Sequence, residues 1–213
     1  MPPEVEFGTR KPSLQTTRKP VRVHVEPSTS DHPSVTIETP RLILRCPRPG
    51  DGVQVHEAVV ETLAALRAWP ASLPWAMAEP SVDASEAFCR QGQVDFLARK
   101  ALPLLVFLKD GDGLVGASGL HHLDWGVPKA EVGYWCRGSL QGRGLTAEAT
   151  RAVVDWGFES LGMRRVACLS DAANTASRRV AERAGFRLEG IMIHERADPD
   201  GSLRDTCLYA VTR

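Results

Sequence analysis

Six residues in the middle of the chain, Gln141-Gly142-Arg143-Gly144-Leu145-Thr146, restrict the fold more than any other stretch. They join an alternating segment, residues 130–136, to a helical one, residues 146–161. On that helix Ala149, Val153, Trp156 and Ser160 make one stripe, with Ala152 beside them. A further strand pattern follows at residues 163–169, so the whole reads as strand–helix–strand, which closes as a right-handed parallel crossover. Gly142 and Gly144 let main-chain N–H groups come close to a ligand. The helix N-terminus behind them favours anions, and Arg143 adds a positive charge. The turn has neither the Lys-Ser/Thr pair of a nucleotide-triphosphate loop nor the third glycine of a dinucleotide fingerprint. Spacing alone therefore fits a phosphate cradle and a plain strand–helix turn equally.

The flanking pattern predicts the remaining elements. Residues 35–46 are extended, with a break at Pro40. Val55, Val59, Leu63 and Leu66 recur at helical steps within residues 51–68, and Pro70 ends that helix. Ser81 or Ser85 opens a second helix reaching about Lys100, with Phe88, Val94 or Gln91, and Leu97 on its buried side. Residues 101–109 form a strand that is apolar on both faces and so central. Asp110-Gly111-Asp112-Gly113 turns it into the strand at 114–123. Late in the chain, Gly185 closes a short helix at 174–184, and strands follow at 186–195 and 203–212. The order β-α-α-β-β-β-α-β-α-β-β gives a mixed α/β fold of the α+β type, with a mostly antiparallel central sheet of about seven strands flanked by four helices. Residues 1–34 hold six of the fifteen prolines and read as a flexible leader to a domain at 35–213. Within that leader, residues 21–25 alternate and could add to a sheet edge.

Lys+Arg and Asp+Glu both number 26, so the formal net charge is zero. Bulk electrostatic attraction to a membrane surface or to nucleic acid is not expected. The longest apolar run, residues 101–108, is far short of the roughly 20 residues that span a bilayer. There is no apolar stretch near the N-terminus of the kind a signal peptide needs. Five cysteines at long spacings, none in a CxxC pair, read as free thiols in a reducing cytosol, so a cytoplasmic location is expected and no metal site. His121 and His122 are adjacent, and neighbours on a regular strand point to opposite faces, so together they are not expected to hold one ion.

Several segments, in order, resemble the GNAT acetyltransferase superfamily, and within it the ribosomal-protein N-terminal acetyltransferase branch typified by RimJ and RimL. They are Thr39-Pro40-Arg41-Leu42-Ile43-Leu44-Arg45; Ser72-Leu73-Pro74-Trp75; Ala130-Glu131-Val132-Gly133-Tyr134-Trp135; the glycine turn continued through Ala147-Glu148-Ala149; and Asn174-Thr175-Ala176-Ser177 followed by Gly185-Phe186 and Glu189-Gly190. The resemblance covers roughly residues 35–213. It implies acetyl-CoA as donor and CoA as product. It implies that main-chain groups of Tyr134, Trp135 and Cys136 bind the pantetheine arm and that Gln141, Gly142, Arg143, Gly144, Leu145 and Thr146 cradle the pyrophosphate. The last motif position holds Thr146 where the family has Gly or Ala.

Many superfamily members carry a tyrosine general acid seven residues after the helix-opening asparagine. Here that slot is Ala181, and the chain has only Tyr134 and Tyr209. The resemblance implies that Ser177 stands in as donor to the thiolate while Asn174 bonds the pantetheine amide. The residues alone fit equally a helix-capping Asn174 and a first-turn Ser177. Glu195, Glu131 and His121 are candidates for the base, each also readable as an ordinary strand residue, and imidazole is suited to that work. Trp75, His122 and Trp125 are candidates for the acceptor wall. The expected reaction is acetyl transfer to a primary amine, foremost a protein N-terminal α-amine. The alternatives are a small-molecule amine (aminoglycoside, polyamine or amino-acid analogue) and a non-catalytic CoA sensor. A monomer or homodimer is expected.

Overall fold

The computed structural model describes residues 22–26, 34–111 and 113–213. The expected leader falls largely outside the described residues, and Arg22–Glu26 within it forms the strand β1. In chain order the other elements are β2 (Ser34–Glu38), β3 (Leu42–Arg45), α1 (Gly52–Arg67), α2 (Val82–Leu97), β4 (Leu102–Leu108), β5 (Leu114–Asp124), β6 (Lys129–Cys136), α3 (Leu145–Ser160), β7 (Arg165–Asp171), α4 (Thr175–Ala184), β8 (Arg187–Ala197) and β9 (Leu203–Thr212). Short 3-10 turns at Pro74–Met77 and Gly138–Leu140 precede α2 and α3.

Among the described residues the strands make one nine-stranded sheet, ordered β1-β2-β3-β4-β5-β6-β7-β9-β8. It exceeds the expected count because Pro40 divides residues 35–46 into two strands, and because Arg22–Glu26 pairs along the full length of β2 at the edge. Every pairing is antiparallel except β6 with β7, the crossover that brackets α3.

That parallel pair positions the site. Its ladder holds only at Lys129–Arg165, Ala130–Val166 and Glu131–Ala167. Beyond these rungs the two strands diverge, and the β7-facing edge of β6 from Val132 to Cys136 has no strand beside it. The main-chain N–H of Arg137 bonds Val115 O of β5 at 2.7 Å. Main-chain direction alternates along an antiparallel pair. The polar main-chain groups of Val132, Tyr134 and Cys136 therefore point into the opening.

Helices cover both faces. Ala149, Ala152, Val153, Val154 and Trp156 of α3 and Ala181 of α4 pack with Leu42, Leu44, Leu104, Val106 and Val132. On the other face Val55, Ala58 and Val59 of α1 and Cys89 of α2 pack with Leu105, Leu114 and, at the rim, Trp135. The buried face of α2 differs from the expected one. Ser85, Cys89, Gly92 and Phe96 are buried, while Phe88, Val94 and Leu97 are exposed by 43%, 56% and 44%. The cause is close packing: a Cβ on Gly92 would lie 3.2 Å from Pro103, and one on Gly52 of α1 would lie 2.7 Å from Glu86. Small side chains on the inward stripe let the helix approach, which turns the larger ones outward. No helix among the described residues is long and apolar enough to cross a membrane, and the five cysteines are free thiols.

Candidate active site

A cleft of about 930 Å³ opens where β6 and β7 part. Its two sides carry different chemistry because alternate residues of β6 face opposite layers of helices. Tyr134 projects toward α4. Its hydroxyl donates to the Ser177 carbonyl at 2.9 Å and lies 3.2 Å from Ser177 Oγ and 3.5 Å from Cys168 Sγ. Burial pushes the Tyr134 hydroxyl well above the ordinary tyrosine range, and the neighbouring Cys168 adds to the rise. Burial likewise pushes the Cys168 thiol to about 11. Both groups stay protonated near neutrality, so Tyr134 and Ser177 form a pair of proton-bearing hydroxyls at the cleft. Asn174 caps α4, its side chain accepting from Ser177 N at 3.0 Å, and it also lines the cleft. The capping alternative thus describes Asn174 locally without removing it from the site.

Trp135 projects to the other side, 6.4 Å from Trp75 between ring centroids. Trp75 stands on a loop held by several contacts. Arg67 donates to Ala76 O and Ala78 O and pairs with Glu79, and Asp198 accepts from Ala71 N at 3.1 Å. Val59, Leu63 and Phe88 complete a largely apolar wall. At its polar end His121 lies 3.6 Å from Glu131, its cross-strand partner, and His122 lies 3.2 Å from the same carboxylate.

The two histidines share a face, contrary to the expectation from a regular strand. The register runs from His121↔Glu131 to Asp124↔Lys129, so β5 advances three residues while β6 advances two. That extra residue is a β-bulge, and His122 absorbs it with φ +48°. Gly133 makes room for the His121 ring, since a Cβ there would meet its Cε1 at 3.1 Å. Burial holds the His121 imidazole below the ordinary histidine range, opposed by the Glu131 charge and assisted by His122.

The glycine turn continues from the end of β6 through the Gly138–Leu140 turn. Gly142 and Gly144 both take φ +74°, the left-handed region that a glycine enters without strain. Gly144 occupies the N-cap of α3, and the first-turn amides that begin at Leu145 and Thr146 have no acceptor within the helix. Neighbouring side chains hold the turn. Gln141 Nε2 donates to Cys136 O, Arg143 Nη2 to Ser139 O, and Arg41 Nη1 to Arg143 O. Glu61 accepts from Ser139 N at 2.7 Å, and Thr62 from Gly138 N at 2.9 Å. The Ser139 and Arg137 hydrogen bonds hold the Glu61 carboxyl down to about 2. Glu148, in the first turn of α3, is engaged by Thr39 and Arg41.

Two candidates lie elsewhere. Glu195 does not line the cleft: it accepts from Thr206 Oγ1 at 2.7 Å and from Arg196 Nε at 3.0 Å. Between Met192↔Thr206 and Arg196↔Arg204, three residues of β8 oppose Asp205 alone, and it is Arg196 that reaches the cleft wall. Trp125 stacks under the Arg99 guanidinium, 4.0 Å from its ring centroid, at the far end of β5. Two contributors escape sequence reasoning. The Tyr134 hydroxyl had no spacing to mark it as Ser177's partner, and the Asp198 contact to Ala71 spans 127 positions.

Comparisons with known proteins agree with this geometry. A 42% identical segment of 83 residues is shared with the putative ribosomal N-acetyltransferase YdaF of Bacillus subtilis (strain 168), covering 39% of this chain and 45% of that protein. Over 102 residues the chain is 31% identical to the ribosomal-protein-serine acetyltransferase of Escherichia coli (strain K12), covering 48% of this chain and 56% of that protein. The chain thus spans about half the length of these curated relatives. Among solved structures, a probable acetyltransferase superposes with a TM-score of 0.75 at 26% identity, over 84% of this chain and 97% of its own. The apo form of RimL, the ribosomal L7/L12 alpha-N-protein acetyltransferase, superposes at 0.73 and 23%, over 89% of this chain and 100% of its own, a likeness of fold. Residues 41–187, which contain the parted strands, the glycine turn and α4, match the acetyltransferase (GNAT) domain, and the chain belongs to that family.

Proposed function

We propose that this chain moves the acetyl group of acetyl-CoA to the α-amine of a protein N-terminus. The observation that carries the reading is the parting of β6 from β7, which leaves an unpaired strand edge leading from the glycine turn to the Tyr134–Ser177 pair. An extended pantetheine arm carries amides that can bond such an edge, and the pyrophosphate suits the amides of the turn and the start of α3. RimL in complex with CoA and MccE in complex with acetyl-CoA and AMP have the same fold.

In this reading the neutral amine enters along the Trp75–Trp135 wall and attacks the thioester carbon. The Cys136 N–H meets the developing oxyanion. The C–S bond breaks as the amide forms. The proton lost by the amine passes to the His121–Glu131 pair and on to solvent. The departing sulfur takes a proton from the Ser177–Tyr134 hydroxyls, which regain one from solvent as CoA leaves. An α-amine near pKa 8 costs about 1 kcal/mol to deprotonate at pH 7, against roughly 5 for a lysine, which suits a weak base. The acceptor side favours one amine over a polycation. Its carboxylates are few, and two of those that line it, Asp171 and Glu79, are paired with Arg204 and Arg67.

Two measurements test this. CoA at 100 times its dissociation constant should add about 2.7 kcal/mol, a rise of roughly 5–10 °C in Tm. Thiol release from acetyl-CoA should then appear with N-terminal peptides ahead of lysine peptides, polyamines and aminoglycosides. No shift with CoA overturns the reading. A shift with no thiol release in any acceptor class replaces it with the CoA-sensor alternative.

A further inference from the structure

His121, His122 and Glu131 place one nitrogen, one nitrogen and one carboxylate oxygen within 4.8 Å of one another, the sole such group of three or more potential metal ligands among the described residues. We propose that this cluster is a binding site for a divalent transition-metal ion of the zinc class, held at the acceptor mouth of the cleft. The inference rests on the ligand geometry, so ion binding is tested without acetyl transfer, although the ion would occupy the His121–Glu131 pair that the acetyl-transfer reading uses as proton acceptor.

Three features support it. Zinc bonds to imidazole nitrogen and carboxylate oxygen at about 2.0–2.2 Å, which puts tetrahedral neighbours about 3.4 Å apart. The two histidines meet the two oxygens of one carboxylate, 3.2 Å from His122 Nδ1 to Glu131 Oε1 and 3.6 Å from His121 Nε2 to Glu131 Oε2, each near that figure. Two histidines and a glutamate are also a known zinc donor set that leaves a coordination position open. Finally, the backbone is shaped to bring them together. The bulge turns both imidazoles to one face, His122 takes a left-handed conformation to do so, and Gly133 clears the space beside the His121 ring. All three side chains line the cleft. An ion bound there would take up the lone pairs that an incoming amine's proton would otherwise reach.

The test is binding by the full chain. Co2+ is titrated in as a spectroscopic stand-in, then displaced with Zn2+ under calorimetry. One ion per chain is expected, with visible d–d absorption and no thiolate charge-transfer band, since the ligands are nitrogen and oxygen. His122→Asn keeps the backbone, because asparagine enters the left-handed region readily, and it removes one ligand. Loss of an outer-sphere partner already costs about 10–100-fold in affinity, so His122→Asn and Glu131→Gln should each weaken binding by at least about tenfold. Glu195→Gln, which lies outside the cleft, should leave it unchanged. An absence of binding, a thiolate band, or His122→Asn and Glu131→Gln proteins that bind as tightly as the parent would each overturn the proposal. Melting curves matching the parent confirm that these proteins are folded.

Discussion

Removing one oxygen, by Tyr134→Phe, separates the two hydroxyls at the cleft. In the structure Tyr134 donates to the Ser177 carbonyl at 2.9 Å and sits 3.2 Å from Ser177 Oγ. The lost hydrogen bond costs about 1 kcal/mol of stability, or roughly 2–4 °C in a protein of this size, so the variant remains folded at assay temperature. A general acid typically contributes about 10²–10⁴-fold to rate. If the proton reaches the sulfur through a chain from Tyr134 to Ser177, then Tyr134→Phe and Ser177→Ala should each lower kcat by about 10²-fold or more. The double variant should fall little further, because either change already breaks the chain. The assay is thiol release at saturating acetyl-CoA, with the dissociation constant for CoA measured alongside. Tyr134→Phe turning over within about threefold of the parent refutes the Tyr134 role. Effects that multiply in the double variant refute the shared chain, since independent residues add in free energy.

Three further outcomes follow from the geometry. Gly144→Ala forces a side chain into φ +74°, a strain of about 1–2 kcal/mol, and should weaken CoA binding several-fold by calorimetry while thermal stability falls modestly. Asp198→Ala frees Ala71 and the loop bearing Trp75. It should raise KM for the acceptor while the dissociation constant for CoA stays the same. Despite burial, which pushes its pKa up, Asp51 is held below the ordinary carboxylate range by Arg45 and by the Arg48 N–H. The folded form therefore binds fewer protons, and this stabilisation is present above the unfolded pKa near 4 and lost as pH falls through the lower folded value. Melting followed from pH 6 downward should show the parent's advantage over Asp51→Asn shrinking in acid. A constant gap would contradict the assignment.

Much of the fold was legible because local rules decide it. The crossover around α3, the glycine turn and the Gly185 stop are readable from residue type and period, and the start of α2 is readable as Ser81 or Ser85, of which Ser81 is the cap. The face of α2 was misread because helix contact there is set by what is small rather than by what is apolar. Gly92 and Ser85 carry little hydropathy signal. The pairing of His121 with His122 was hidden because the two-residue period of a strand breaks at a bulge that only the partner strand's register reveals. The sequence resemblance places Tyr134 at the cofactor through its main chain only. Its hydroxyl contact with Ser177 joins residues 43 positions apart, across two elements, and no local pattern encodes such a meeting.

The three-rung ladder between Lys129–Glu131 and Arg165–Ala167 has a consequence for selectivity. A wedge closed at one end by paired backbone, with the free edge of β6 along one side, suits a thin, extended molecule lying along its length, with polar groups repeating at the pitch of a polypeptide. Side-chain changes deep in the wedge should therefore retune which thin molecule fits, whereas an added rung would shut the site altogether.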